Sequence, residues 1–143
     1  MSGTPAFVLC PDEEATRRAG AALAQQVSRG DLVLLEGGLG AGKTVFVRGL
    51  AGGMGLDPGE IASPTFALVH EHGPAGEPAL VHADLYRLKD GADLTDLGLE
   101  DALSHGAVVA IEWPRPPWAA LPAWHVRIEE QAGGARRITL ERR

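Results

Sequence analysis

A chain of 143 residues can bury a core without disulfide or metal staples, and one domain over residues 1–143 is the expectation. The formal net charge of −6 argues against autonomous nucleic-acid binding through a broad phosphate-tracking surface, and the arginines at 136, 137, 142 and 143 form only a local cluster. Cys10 is the single cysteine, Met1–Pro11 lacks the basic start and long apolar run of a signal peptide, and no stretch reaches membrane-spanning length; a soluble, cytoplasmic chain without membrane contact is expected.

In chain order, Ala6–Cys10 reads as a short strand broken by Pro11-Asp12. Asp12 is placed to cap a helix in which Ala15, Ala19, Ala22, Leu23 and Val27 recur at helical spacing, with Gly30 placed to end it. Leu32–Leu35 is wholly apolar, the pattern of a strand buried on both faces. It runs into glycines at 37, 38, 40 and 42 and then Lys43-Thr44, so that Gly37-Gly38-Leu39-Gly40-Ala41-Gly42-Lys43-Thr44 fits the phosphate loop G-x-x-x-x-G-K-[ST]. Val45–Met54 continues as helix, with Phe46, Leu50 and Met54 on one face and Gly55 as the stop.

Ser63-Pro64-Thr65-Phe66 reads as a loop or strand entrance, because proline biases the preceding residue to extended backbone. Phe66–Glu71 and Ala79–Asp84 form an expected hairpin across His72–Pro78, and His70 and His72 share a face of its first strand. Leu94, Leu97, Leu99 and Leu103 suggest a short, interrupted helix. Ala107–Ile111 is a second wholly apolar strand and ends in Glu112-Trp113-Pro114. After a proline-stiffened loop, Trp124–Ile128 and Arg137–Glu141 flank Gly133-Gly134 as a terminal hairpin.

This alternation gives an α/β class with a phosphate loop after its first buried strand. Glycines let backbone N–H groups converge on an anion, and the helix that opens at the loop adds its unpaired N–H groups and dipole. In that frame Lys43 lies along the β- and γ-phosphates and the Thr44 hydroxyl is a magnesium ligand. Magnesium also needs a carboxylate, and ligands bind at the carboxyl ends of strands in such sheets. Asp84 and Glu112 both satisfy that placement, and either could hold the metal directly, hold it through water, or orient the attacking water. Thr65 stands where a switch segment senses the γ-phosphate through a hydroxyl. An Asn-Lys-x-Asp guanine-reading quartet is missing, which favours ATP over GTP, and there is no arginine-rich lid of the kind small-molecule kinases close over phosphates.

The chain resembles the TsaE (YjeE) family of small P-loop ATPases. The resemblance rests on LEGGLGAGKTVFVRGL, Ser63-Pro64-Thr65-Phe66, His82-Ala83-Asp84-Leu85-Tyr86-Arg87-Leu88, Asp96-Leu97-Gly98 and Ile111-Glu112-Trp113-Pro114, and it spans nearly the whole chain. It implies a three-layer, P-loop NTPase-like fold with a parallel-centred sheet flanked by antiparallel strands. It further implies an ATP- and Mg²⁺-dependent component of threonylcarbamoyl modification of the adenosine next to the tRNA anticodon. Such a component is weakly active alone, acts on the TsaB–TsaD complex, and meets tRNA only through that complex.

On the same resemblance Lys43 and Thr44 hold phosphate and magnesium, and Glu112 is the second metal-side acid. Thr65 and Asp84 act in switching and hydrolysis, Trp113 adjoins the site, and Pro11–Thr16 and Arg136 rim the nucleotide. One departure is visible: Gly38 stands where the family usually carries an acid, as in G-D-L-G. The competing readings are a nucleotide-sensing binding module whose hydrolysis is incidental and a small-molecule P-loop kinase.

Overall fold

The structure, a computed structural model, describes residues 6–61, 69–74, 76–86, 88 and 97–143. Its organising element is strand β2 (Leu32–Glu36), whose first four residues are buried because layers cover both faces of the sheet. Before it come strand β1 (Ala6–Cys10) and helix α1 (Glu13–Ala24). After it come helix α2 (Lys43–Gly53), strands β3 (Val69–His72) and β4 (Leu80–Asp84), and helix α3 (Leu99–Ser104). Strands β5 (Val108–Glu112), β6 (Trp124–Glu130) and β7 (Arg136–Arg142) complete the chain.

The seven strands form one sheet in the order β1-β7-β6-β2-β5-β4-β3. Neighbours among β6, β2, β5 and β4 run parallel, whereas β3 on one side and β7 and β1 on the other add antiparallel. This is the parallel-centred, antiparallel-flanked sheet that the resemblance implied. Alternation along the buried strands divides the core. Val33, Leu35 and Ala110 meet Leu23 of α1 and Phe46 and Leu50 of α2 on one side. Leu34, Val81, Ala83 and Ile111 meet Leu99 of α3 and Trp118 on the other.

Asp12 caps α1 as expected, its carboxylate accepting from Ala15 N–H at 2.9 Å. Helix α1 ends at Ala24, however, well before Gly30. Beyond it Val27 N–H still donates to Leu23 O at 3.1 Å, and the Asp31 carboxylate then accepts from Ser28 N–H at 2.8 Å and draws residues 28–31 into a turn. Gly30 serves that turn instead, at φ +81°.

The α1–α2 packing is unusually close. A Cβ at Gly49 would lie 1.9 Å from the Arg17 carbonyl oxygen, and one at Gly20 would lie 2.1 Å from that of Phe46. The helices therefore meet backbone to backbone, which no larger residue at these two positions permits.

The expected hairpins form: β3 pairs with β4, and β6 with β7. The expected start of the first hairpin, the Ser63–Phe66 loop and the early part of the interrupted helix lie outside the described residues. Cys10 is buried, as expected of a small core residue.

Candidate functional site

Strands β2, β4 and β5 end at the same level because they are parallel and in register, with Leu35 opposite Glu112 and Asp84 opposite Glu112. The alternation that sends Leu80 and Ala110 toward α2 carries Asp84 and Glu112 to that side as well, at the carboxyl ends of their strands. Both acids are the last residues of their strands rather than residues beyond them. There they border a cleft of about 330 Å³, lined also by Leu39–Val45, Trp113, Arg136 and the start of α1.

Residues 37–42 connect β2 to α2. Gly42, at φ +108°, caps α2 with no side chain bonded to its first turn, so the helix's leading N–H groups are left to the loop. Gly40 is also in the left-handed region, at φ +74°, which L-residues with side chains resist. Leu39 is exposed and Ala41 buried, so the loop presents backbone rather than bulk over most of its length.

Lys43 is only 4 % exposed. Its Nζ donates to the carbonyls of Gly37 at 2.7 Å and Gly38 at 2.8 Å, and stands 4.3 Å from the centre of the Trp113 ring. Burial pulls the lysine below its ordinary pKa, against the raising influence of Glu112 and then Asp84. Thr44 Oγ1 donates to Glu112 Oε2 at 3.1 Å, joining the end of the phosphate loop to the end of β5. Burial raises the pKa of Asp84 and the charge of Glu112 adds to this, opposed by the Tyr86 N–H at 2.9 Å and by His82 and Lys43. Two carboxylates and a lysine thus share one partly desolvated space.

Trp113 follows β5 at φ +57°, the left-handed region for a non-glycine residue. Its N–H donates to Leu35 O at 3.2 Å, and its ring lies 4.8 Å from that of Tyr86. Arg136 reaches the loop from β7, donating through Nε to Ala41 O at 2.7 Å and through Nη2 to Gly40 O at 3.2 Å. Its guanidinium lines the cleft and braces the loop through those carbonyls.

The structure thus brings Gly40, Ala41, Gly42, Lys43, Thr44, Leu39, Asp84, Glu112, Trp113 and Arg136 to one cleft. Gly37 and Gly38 flank it, bonded to Lys43 through their carbonyls. Thr65 lies outside the described residues. At Gly38, a Cβ would meet nothing within 4 Å, so the acid common at that position in the resembled family has room.

His82 was not singled out by composition or spacing. It is fully buried and its Nε2 lies 2.5 Å from Glu112 Oε2. The signal that could have found it is its place on β4, two residues before Asp84 and therefore on the same face. Among the described residues no group of three or more potential ligands gathers His, Cys, Asp and Glu into a metal site. No helix among the described residues is long and apolar enough to cross a membrane.

Residues 10–138 match the family described as Threonylcarbamoyl adenosine biosynthesis protein TsaE. A tRNA threonylcarbamoyladenosine biosynthesis protein TsaE from Mycobacterium leprae is 41% identical over 128 residues, spanning 85% of this chain and 79% of that one. The protein of the same name from Treponema pallidum is 39% identical over 127 residues, spanning 87% and 92%. The crystal structure of Bacillus subtilis YdiB superposes with a TM-score of 0.75 at 28% identity, covering 99% of this chain and 87% of that one.

Proposed function

This chain belongs to the TsaE family, and from that premise we propose that it is the ATP-binding and ATP-hydrolysing component of tRNA threonylcarbamoyladenosine biosynthesis, acting on the TsaB–TsaD complex and reaching tRNA through it. The observation that carries this reading is the convergence of Lys43, Thr44, Asp84 and Glu112 on one cleft at the mouth of a phosphate loop.

The donor set fits magnesium. The Thr44 hydroxyl and the Glu112 carboxylate are hard oxygen ligands already 3.1 Å apart, and both hydrogen bonds on that carboxylate fall on Oε2, leaving Oε1 without one among the described residues. Thr44 and Glu112 would hold the ion, whose chemistry there would be to neutralise negative charge on phosphate. The loop's N–H groups bind phosphate, and Lys43, released from the Gly37 and Gly38 carbonyls, pairs with the terminal phosphates. Asp84, beside Glu112 and with its pKa raised, accepts a hydrogen bond from the attacking water and orients it. Trp113 walls the Lys43 side from bulk water.

The test follows ATP turnover by the purified chain, alone and with the TsaB–TsaD pair, in parallel with tRNA modification. Turnover that rises with the pair, and modification that requires this chain, are the expected results. Modification proceeding unchanged without the chain would overturn the reading. Within it, Lys43→Ala should weaken ATP binding at least about tenfold, the scale of one lost charge-assisted hydrogen bond.

A further inference from the structure

His82 has no place in the chemistry just described, yet it is the most thoroughly enclosed polar side chain beside it. Its relative exposure is 0 %, and its backbone is held between strands, in register with Ala110 of β5 and His70 of β3. Its Nε2 lies 2.5 Å from Glu112 Oε2, whereas its Nδ1 is buried with no hydrogen-bond partner among the described residues.

The contact at Nε2 places a proton. A lone pair aimed at a carboxylate oxygen would be repelled, whereas an N–H there makes a hydrogen bond. Nε2 therefore carries a proton. Nε2–H and Thr44 Oγ1–H then both donate to Oε2, from opposite ends of the site. Two donors on one oxygen fix the plane of the carboxyl group and leave Oε1 as the free acceptor.

We propose that His82 is a positioning residue: by donating Nε2–H to Glu112 Oε2 it holds that carboxylate in the one orientation that offers a metal-side oxygen to the cleft, before any ligand arrives. Glutamate has three side-chain torsions, and its ordering is thereby completed on folding rather than on metal binding. This inference rests on the reading that Glu112 and Thr44 serve magnesium with a nucleotide.

The experiment measures ATP affinity by calorimetry with and without Mg²⁺, for the parent chain, His82→Leu and His82→Gln. The ratio of the two affinities reports the metal's contribution apart from turnover. In His82→Leu the metal-free affinity should stay within about twofold of the parent while the Mg²⁺ enhancement falls about tenfold or more, the usual effect of losing a group that orients a metal ligand. His82→Gln, whose amide can place a donor near the same oxygen, should recover most of it. Equal loss with and without metal, or an unchanged enhancement, would overturn the proposal, as would glutamine behaving like leucine. A parent chain with no Mg²⁺ enhancement would instead overturn the magnesium reading beneath it.

Because leucine at a buried histidine can impair folding, a second measurement uses the unaltered chain. Long-range ¹H–¹⁵N spectra of its imidazoles should show one exchange-protected ring that carries a proton on Nε2, assigned to His82 by its disappearance in His82→Gln. Protonation on Nδ1 alone would overturn the proposal regardless of how the variants fold.

Discussion

Thr44 and Glu112, which belong to α2 and β5 and lie far apart in the chain, are joined by a 3.1 Å hydrogen bond from Oγ1 to Oε2. That bond ties the two halves of the candidate site together, one built from the phosphate loop and the other from strand ends. Thr44→Val and Glu112→Gln should each reduce Mg²⁺-dependent ATP hydrolysis by about a hundredfold, the range for losing a group that acts on transition-state charge. The double variant should be little worse than the poorer single one, because both act on one centre. Steady-state turnover of the four proteins with the partner pair checks this, and multiplied losses would show that the two residues act independently.

Asp84 gives a pH-dependent prediction whose sign is fixed by the direction of its shift. Burial and the Glu112 charge raise its pKa, so the folded state keeps a proton that the unfolded state releases. Stability attached to this group is therefore highest at acid pH and falls as pH climbs from the ordinary aspartate range, about 4, through the raised value. Asp84→Asn keeps an oxygen for the Tyr86 N–H and removes the ionisation. Its melting temperature should match the parent below about pH 4 and exceed it at neutral pH, while hydrolysis falls at least about a hundredfold as expected for a group that manages the attacking water's proton. Thermal melts across pH and a turnover assay provide the two readouts.

Gly38→Asp should fold. A Cβ there meets nothing within 4 Å and the backbone does not require glycine. Restricting the unfolded chain should stabilise the protein by about 0.4–1 kcal/mol, measurable by urea denaturation. The new carboxylate also lies in the segment whose carbonyls hold Lys43, and a lower ATP affinity in calorimetry would register any competition for that lysine.

Gly49→Ala should be severely destabilising. Its Cβ would lie 1.9 Å from the Arg17 carbonyl oxygen, a backbone atom that cannot swing aside, and such overpacking costs about 1–3 kcal/mol or more. Gly20→Ala should behave likewise, and the two should not add, because both wedge the same pair of helices apart. Chemical denaturation of the single and double variants measures both effects.

Much of this site could be read from residue types and spacing. The phosphate loop declares itself in Gly37–Thr44, and two acids at the ends of apolar runs marked Asp84 and Glu112, because a buried parallel strand has a local signature. What stayed hidden depends on pairings between distant segments. The β6–β7 hairpin was legible, but nothing around Trp124–Glu130 announces that β6 also inserts beside β2 in parallel. That insertion carries β7 to the loop, where Arg136 lines the cleft and also braces the Gly40 and Ala41 carbonyls. His82 was illegible for the same reason, since its partner is a strand away. Gly30 misled because glycine is both a helix stop and a turn former, and the Asp31 side chain decided between them.

The backbone contact between α1 and α2 has a mechanical consequence. With Gly20 and Gly49 set against opposing carbonyls, no side chain at these two contacts can rotate to absorb a displacement. A shift of α1 along this seam would therefore press directly on the backbone of α2, the helix that carries Lys43 and Thr44 at its start.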